Sequence, residues 1–443
     1  MKRVAVFGGA KSGVAAANFL AARGESVVLT DSRPASELAL EGRLDPRVQT
    51  HLGGHPGSLL EDASMIILSP GIPSSIPILK EAAERGIPIL SEIELAFRHL
   101  EGPVIAITGS NGKSTTTALI GAILQQAGRE PIVAGNIGEP LIASVAPGPR
   151  VYVVELSSFQ LETIDSFRPD VALLLNITPD HLDRYDSIDE YAAAKQRIFR
   201  NQTPADLAIL NADDARVSAS VTDARVLRFS STRRLEEGAF IEKSNLVLRE
   251  GGVERTIPRA NLRLAGMANV ENALAAWLAT HALGVGIDHV SAAFESFAGL
   301  PHRMVLVLER NGVSWINDSK GTNVDASLKS LEGMSDGSTI LIVGGKDKKG
   351  EFEKLRDLVS RKARAVLTIG SSAERIAGAL SGVPAEIIDA GTMEKAVQWA
   401  RRNARPGDTV LLSPACASFD QYDNFEHRGR HFEELVRGSE EVA

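Results

Sequence analysis

The chain reads as an α/β protein of three domains, on three observations. At 443 residues it exceeds what one ordinary core accommodates. Short apolar runs alternate with helical patterns along most of its length, the rhythm of parallel strands joined by crossover helices. A β-rich stretch, residues 225–264, breaks that rhythm once. The expected architecture is therefore three α/β domains in series over residues 1–100, 101–300 and 301–443. The first and last are Rossmann-like, and the middle one carries the extra β-rich segment.

The elements follow in order. Strands are expected at Val4–Phe7, Ser26–Thr30, Met65–Leu68 and Ile87–Leu90, with helices at Val14–Ala22 and Pro77–Arg85. A second unit starts at Pro103 and continues through Val151–Glu155, Val171–Asn176 and Leu207–Asn211, each ending in polar residues. The helix Asn269–Leu283 leads to Leu300-Pro301-His302-Arg303, where composition marks a boundary. Strands at Thr339–Val343, Ala365–Ile369, Ala385–Ile388 and Thr409–Ser413 build the last third. Parallel sheets bind ligands at strand C-terminal ends, so chemistry is expected there.

The strongest such end is Gly109-Ser110-Asn111-Gly112-Lys113-Ser114-Thr115, between the apolar run Val104–Ile107 and a helical pattern. Strand, glycine turn, Gly-Lys-Ser, helix is the layout of a phosphate-binding loop. Glycines let backbone N–H groups face phosphate oxygens, and the helix N-terminus adds its positive dipole end. Lys113 supplies charge for the outer phosphates and Ser114 a hydroxyl for Mg²⁺. The spacing is a shorter variant, since Ile107 stands where the usual motif has its first glycine. The central domain is thus expected to be P-loop ATPase-like and to take a nucleoside triphosphate.

Composition narrows the class. Hydrophobic residues at 44% and charged residues at 23% are those of a soluble globular protein. A net charge of −8 offers no basic surface for nucleic acid or anionic membrane. The single cysteine, Cys416, allows no intrachain disulfide and reads as packing. No apolar run approaches a membrane span, and Val4–Phe7 is too short for a signal-peptide core. A cytoplasmic protein, monomeric by default, is expected.

Six further strand ends carry polar residues. Gly8-Gly9-Ala10-Lys11-Ser12-Gly13 follows the first strand and Asp31 ends the second. Ala10 stands where a dinucleotide loop needs its middle glycine, so a nucleotide-linked substrate fits better than NAD(P). Glu155 ends an apolar strand and suits Mg²⁺. Asn176-Ile177-Thr178-Pro179-Asp180-His181-Leu182-Asp183-Arg184 offers a histidine among acids. Asp318 and Lys320 follow Ile316-Asn317, suiting a ribose hydroxyl and a phosphate, and Lys346, Lys348 and Lys349 end the next strand. Lys195, within the helical pattern Tyr191–Phe199, reads on its own as a solvated residue.

Taken together, these motifs resemble the Mur ligase family over essentially the whole chain. The Gly109–Thr115 loop, Gly135-Asn136-Ile137-Gly138, Glu155-Leu156-Ser157-Ser158, the 176–183 block, Asn269-Val270-Glu271-Asn272-Ala273, Pro301-His302-Arg303 and Asn317-Asp318-Ser319-Lys320 carry the resemblance. Within the family, Ser413-Pro414-Ala415-Cys416-Ala417-Ser418-Phe419-Asp420-Gln421-Tyr422, running into Asn424–Gly429, points to the branch that adds D-glutamate. The Asp-Asn-Pro-Arg string of the branch adding a diamino acid is absent.

The resemblance implies an ATP-dependent amide ligase. ATP phosphorylates the carboxylate of UDP-N-acetylmuramoyl-L-alanine, and the D-glutamate amine displaces phosphate from the acyl phosphate. It implies that Gly109–Thr115 with Asn272, Arg303 and Asp318 bind ATP, that Ser114 and Glu155 hold a first Mg²⁺, and that His181 and Lys195 serve a second. Lys195 is implied to be carbamylated. Ser12, Gly13, Asp31 and Ser32 are implied to take the UDP portion, and Asn136 the substrate or the transferring phosphate. Thr322, Lys348, Ser418 and Phe425 are implied to frame D-glutamate, with the choice among Lys346, Lys348 and Lys349 open, and Lys320 is expected to bind substrate. Rival readings are a sister ligase, including folylpolyglutamate synthase, a nicotinamide-dependent oxidoreductase, and a nucleotide-gated binding protein without turnover.

Overall fold

A computed structural model describes residues 2–438 except Ala39, Asp183 and Ala265. Three sheets organise it. The first holds Arg3–Phe7 (β1), Val27–Asp31 (β2), Gln49–Leu52 (β3), Ala63–Leu68 (β4) and Ile89–Ser91 (β5), in spatial order β3-β2-β1-β4-β5. All its pairings are parallel. The strand order reverses between β1 and β4, which opens a crevice at their C-terminal ends.

The second sheet holds Val104–Thr108 (β6), Ile132–Gly135 (β7), Tyr152–Glu155 (β8), Val171–Leu174 (β9), Leu207–Asn211 (β10), Arg225–Ser230 (β11), Gly238–Glu242 (β12), Asn245–Glu250 (β13) and Val253–Pro258 (β14). Their order is β14-β13-β12-β11-β10-β9-β6-β8-β7. From β7 to β12 neighbours run parallel, and β12–β14 add antiparallel hairpins. The β13–β14 turn uses Gly251 and Gly252 at φ +57° and +76°, the left-handed pair a tight hairpin needs. Every residue of β6 is buried, as a central parallel strand covered on both faces must be. Helices Lys113–Gln126 and Met267–Ala282 cover one face, joining Leu119, Ile123, Val270 and Trp277 to a single core with Ile105 and Ile107.

The third sheet holds Val305–Arg310 (β15), Val313–Asn317 (β16), Thr339–Gly344 (β17), Ala363–Ile369 (β18), Glu386–Gly391 (β19) and Thr409–Leu412 (β20), in order β15-β16-β20-β17-β18-β19. Only the β15–β16 pairing in it is antiparallel. The α/β architecture of three sheets, the middle one extended by a β-rich segment, is the one expected. Strands β3, β7, β15 and most of β16 lie outside the runs the sequence reading picked. Packing divides the chain into two compact units, Met1–Ile177 with Asp189–Ala298, and Thr178–Ile188 with Gly299–Ala443. Among the described residues no helix is long and apolar enough to cross a membrane.

Two buried glutamates tie the first sheet's last helix, Glu92–Phe97, to the second sheet's connections. Glu94 is wholly buried and accepts bonds from the backbone N–H groups of Asp165, Ser166 and Phe167, from Ser166 Oγ and from Arg98. Burial works against its charge, yet these donors outweigh it and hold the carboxyl below the ordinary range. Glu92 is the opposite case. It accepts only the Ile142 N–H at 2.6 Å, its Oε2 is buried without a hydrogen bond, and burial pushes its carboxyl up to about 7.

A carboxyl whose folded-state pKa exceeds its unfolded value binds its proton more tightly in the folded state. The associated stability is complete below the unfolded pKa and lost as pH rises through the folded one. Glu92→Gln, which mimics the protonated acid, should therefore raise the melting temperature at pH 8, with a ceiling of about 3 kcal/mol. The gain should close by about pH 4, below the unfolded value of a glutamate. Melting curves at the two pH values check this.

Candidate functional site

The phosphate loop leaves β6 at the point where β9 and β8 flank it on opposite sides, the switch point of the second sheet. Gly109 has φ +153°, and Gly112, at φ +84°, caps the helix that begins at Lys113. A Cβ at Gly112 would lie 2.3 Å from Asn272 Oδ1, so side chain and backbone conformation both demand glycine. The loop is splinted by Asn176, beyond the end of β9. Its Oδ1 accepts the Asn111 N–H at 2.8 Å, its Nδ2 donates to the Asn111 carbonyl, and its own carbonyl accepts the Ser110 N–H. The sequence alone gives Asn176 no role beyond its place in the 176–184 motif.

Two ammonium groups converge on one carbonyl. Lys113 Nζ donates to the Gly109 and Ser110 carbonyls at 2.8 and 2.9 Å, and Lys195 Nζ donates to the Gly109 carbonyl at 2.8 Å. Lys195 is 1% exposed and lies over the Tyr191 ring. A solvated surface position, the reading its helix alone suggested, is ruled out. Asn272 packs against the helical side of the loop, where its Oδ1 accepts from Thr116 Oγ1 at 3.2 Å.

Glu155 ends β8 and is 1% exposed. Its Oε1 accepts from Asn136 Nδ2 at 2.7 Å, while its Oε2 is buried without a hydrogen bond. An orphaned carboxylate oxygen in the domain of the phosphate loop is the donor a hard cation takes. No group of three His, Cys, Asp or Glu that could hold a metal occurs among the described residues.

In the first sheet, Gly8 and Gly13 bring β1 and the following helix together. A Cβ on Gly13 would stand 1.8 Å from the Gly8 carbonyl oxygen, and one on Gly8 2.6 Å from Ser69 Oγ. Ser69 Oγ, just beyond β4, is buried without a hydrogen bond and faces this turn, a polar group that sequence reading passed over. Asp31 is spoken for by its own neighbours. Oδ2 accepts the Gly9 N–H at 2.7 Å and Arg33 Nη2 at 2.8 Å, and Oδ1 accepts from Arg33 Nε and N. Burial opposes its charge, but these bonds hold it well below the usual carboxylate range. Ser32 is exposed beside it, and Ser12 is half-buried.

The second unit gathers another polar group around Asp180. This carboxylate accepts from Lys348 Nζ at 3.0 Å and from Asn323 Nδ2 at 3.1 Å. Burial raises its pKa, but Lys348, His181 and Asn323 together bring it down to about 2. His181 sits at φ +55° with Nε2 3.7 Å from Asp180 Oδ2. Lys346 and Lys349 are exposed, whereas Lys348 is half-buried and oriented. Asp183 lies outside the described residues. Lys320 Nζ stands 3.7 Å from the Phe425 ring centroid, and the Thr322 N–H donates to the Lys320 carbonyl. Ser418 is buried.

Asp318 turns inward, where its Oδ2 accepts from Ser330 and Ser413, and burial lifts it to about 6 despite those bonds and the nearby Arg303. Cys416 is buried and its thiol is pushed up to about 11 by burial, which fits packing, not nucleophilic attack.

Comparison with known proteins places this geometry. The N-terminal domain model of MurD-like Mur ligases matches residues 2–91, the Mur ligase middle domain residues 107–280, and the Mur ligase glutamate ligase domain residues 302–416. The chain is 46% identical to the UDP-N-acetylmuramoylalanine–D-glutamate ligase of Koribacter versatilis, covering 98% of this chain and 97% of that one. It is 47% identical to the ligase of the same name from Geotalea uraniireducens, over 100% and 98%. Among solved structures, UDP-N-acetylmuramate-alanine ligase from Thermotoga maritima aligns at TM-score 0.63 and 20% identity, over 99% of this chain and 100% of that one. A MurF ligase from Thermotoga maritima in complex with ADP aligns at TM-score 0.62 and 17% identity, over 94% and 96%. At such identities the two structures speak for the fold, while the two full-length relatives and the three domain models speak for descent: the chain belongs to the Mur ligase family.

Proposed function

We propose that the chain is an ATP-dependent carbon–nitrogen ligase that joins D-glutamate to UDP-N-acetylmuramoyl-L-alanine, releasing ADP and phosphate, in the cytoplasmic stage of peptidoglycan precursor synthesis. The observation that carries it is identity of 46–47% across the full length to ligases of that name. A free carboxylate is a poor acyl donor because oxide does not leave. Transfer of a phosphoryl group to it makes phosphate the leaving group, and the amine of D-glutamate then forms the amide.

The chain's own residues supply positioning and charge. Lys113 and the amides of Gly109–Thr115 would hold the phosphates, and Asn272, Arg303 and Asp318 the adenosine end. Ser114 and the free Oε2 of Glu155 are the atoms fitted to magnesium, which when bound supplies neutralisation of phosphate charge. A second ion beside His181 and a carbamylated Lys195 belong to the same proposal. Asn136 would meet the acceptor carboxylate or the transferring phosphate, and Ser12, Gly13, Asp31 and Ser32 the UDP end. Thr322, Ser418, Phe425 and Lys348 would frame D-glutamate, and Lys320 would bind substrate. The ion pair with Asp180 favours Lys348 over its two lysine neighbours, because it fixes the ammonium in one place.

Asp180 therefore joins the expected residues. Asp180→Asn should raise KM for D-glutamate by about tenfold, the scale of one charged hydrogen bond, and leave KM for ATP nearly unchanged. The proposal as a whole is tested by phosphate release with the UDP-linked acceptor and a panel of amino acids. D-glutamate should be strongly preferred. Preference for a diamino acid or L-alanine would assign the chain to a sister reaction.

A further inference from the structure

Lys11 opens the first helix, Lys11–Ala22, directly after the Gly8-Gly9-Ala10 turn. A cation there opposes the helix dipole, and neither an acidic residue in the first turn nor a side-chain cap compensates it. Helix stability does not account for this lysine. Its Nζ instead reaches 127 residues along the chain, donating to the Gly138 carbonyl at 2.9 Å and to Glu139 Oε1 at 2.9 Å.

The far end of that reach is connected to Glu155. The Gly135 N–H donates to the Glu139 carbonyl at 2.9 Å and closes the turn that carries Asn136. The Asn136 N–H donates to the Glu155 carbonyl, and Asn136 Nδ2 to Glu155 Oε1. A path of hydrogen bonds and short backbone links thus runs from the Gly8–Gly13 loop to the buried carboxylate. The Lys11–Glu139 pair itself is mostly exposed, 57% and 64%, so it is worth little and exchanges readily.

We propose that Lys11 is a positioning residue that couples the two ends of this path. Resting on the function proposed above, the diphosphate of the UDP-linked acceptor sits against the Gly8–Gly13 turn, one residue from Lys11. The doubly charged group draws the ammonium away from Glu139, while the Gly138 carbonyl keeps its bond. Acceptor binding then fixes the Gly135–Gly138 turn and, through Asn136, the orientation of Glu155. Glu139 is the competitor that holds Lys11 until the acceptor arrives.

The sign of two substitutions separates this from a structural ion pair. Lys11→Ala should raise KM for the UDP-linked acceptor about tenfold or more, the scale of one charge-assisted hydrogen bond, and lower kcat at saturating acceptor, because Glu155 then loses its orientation. Lys11→Arg should recover most of that loss. Glu139→Gln should lower KM for the acceptor or leave it as it is, because it removes the competing carboxylate. If Lys11→Ala and Glu139→Gln raise that KM alike, the pair is structural and the proposal falls. It falls equally if Lys11→Ala leaves the acceptor KM at the wild-type value. A wild-type protein that makes no amide from acceptor and D-glutamate fails the functional reading instead, a result distinct from either.

Discussion

Lys113→Ala should lower kcat by at least about 100-fold, the loss that follows removal of one preorganised charge donor from a transition state. The reason lies in where Lys113 sits. Its ammonium is parked on the Gly109 and Ser110 carbonyls, at the rim of the phosphate turn. Phosphoryl transfer gathers negative charge at that place. Lys195 Nζ approaches the Gly109 carbonyl from a different helix, Ile188–Gln196, and is fixed there by burial. Lys113→Arg should not rescue, because a planar fork cannot occupy a point-charge position between two carbonyls. The melting temperature should stay near the wild-type value, since both carbonyls can turn to water. Steady-state kinetics with a parallel melting curve distinguish lost chemistry from lost fold.

The second large effect belongs to Lys195. A lysine 1% exposed in the body of a domain is costly to bury and is not there for stability. Lys195→Met keeps most of the volume and removes the charge, so the protein should fold with stability at or above the wild type. Its turnover should nevertheless fall by about 1,000-fold, the scale of several kcal/mol of charge stabilisation withdrawn from the reacting phosphoryl group. The carbamylation proposed for Lys195 would give this prediction a chemical signature. Protein equilibrated with ¹³C-bicarbonate should show a carbamate carbon resonance that disappears in Lys195→Met. A variant with normal turnover would remove Lys195 from the site.

Much of this was readable in the chain, for a physical reason. Buried parallel strands are continuous apolar runs, so β1, β6, β10, β17 and β20 stand out against polar connections. Gln49–Leu52 does not, because it is an edge strand whose first residues are all exposed, and only its pairing with β2 makes it a strand. Val305–Arg310 is likewise an edge, with Leu306 more than half exposed. The phosphate loop was legible because its chemistry is contiguous. What was not legible is made by contacts between distant segments. The Asn176 splint on Asn111 spans 65 residues and the Asp180–Lys348 pair spans 168. Burial likewise separates Lys195 from the many lysines on helix surfaces, and the sequence of one helix does not carry it.

The central claim is that ATP activates the acceptor's carboxylate so that D-glutamate can form an amide with it. Its most direct test uses UDP-N-acetylmuramoyl-L-alanine labelled with ¹⁸O in that carboxylate, together with ATP, magnesium and D-glutamate. ADP and amide should form in equal amounts, and each phosphate released should carry one labelled oxygen from the acceptor. Unlabelled phosphate accompanying amide formation would contradict it, as would ADP production that proceeds without D-glutamate at the same rate.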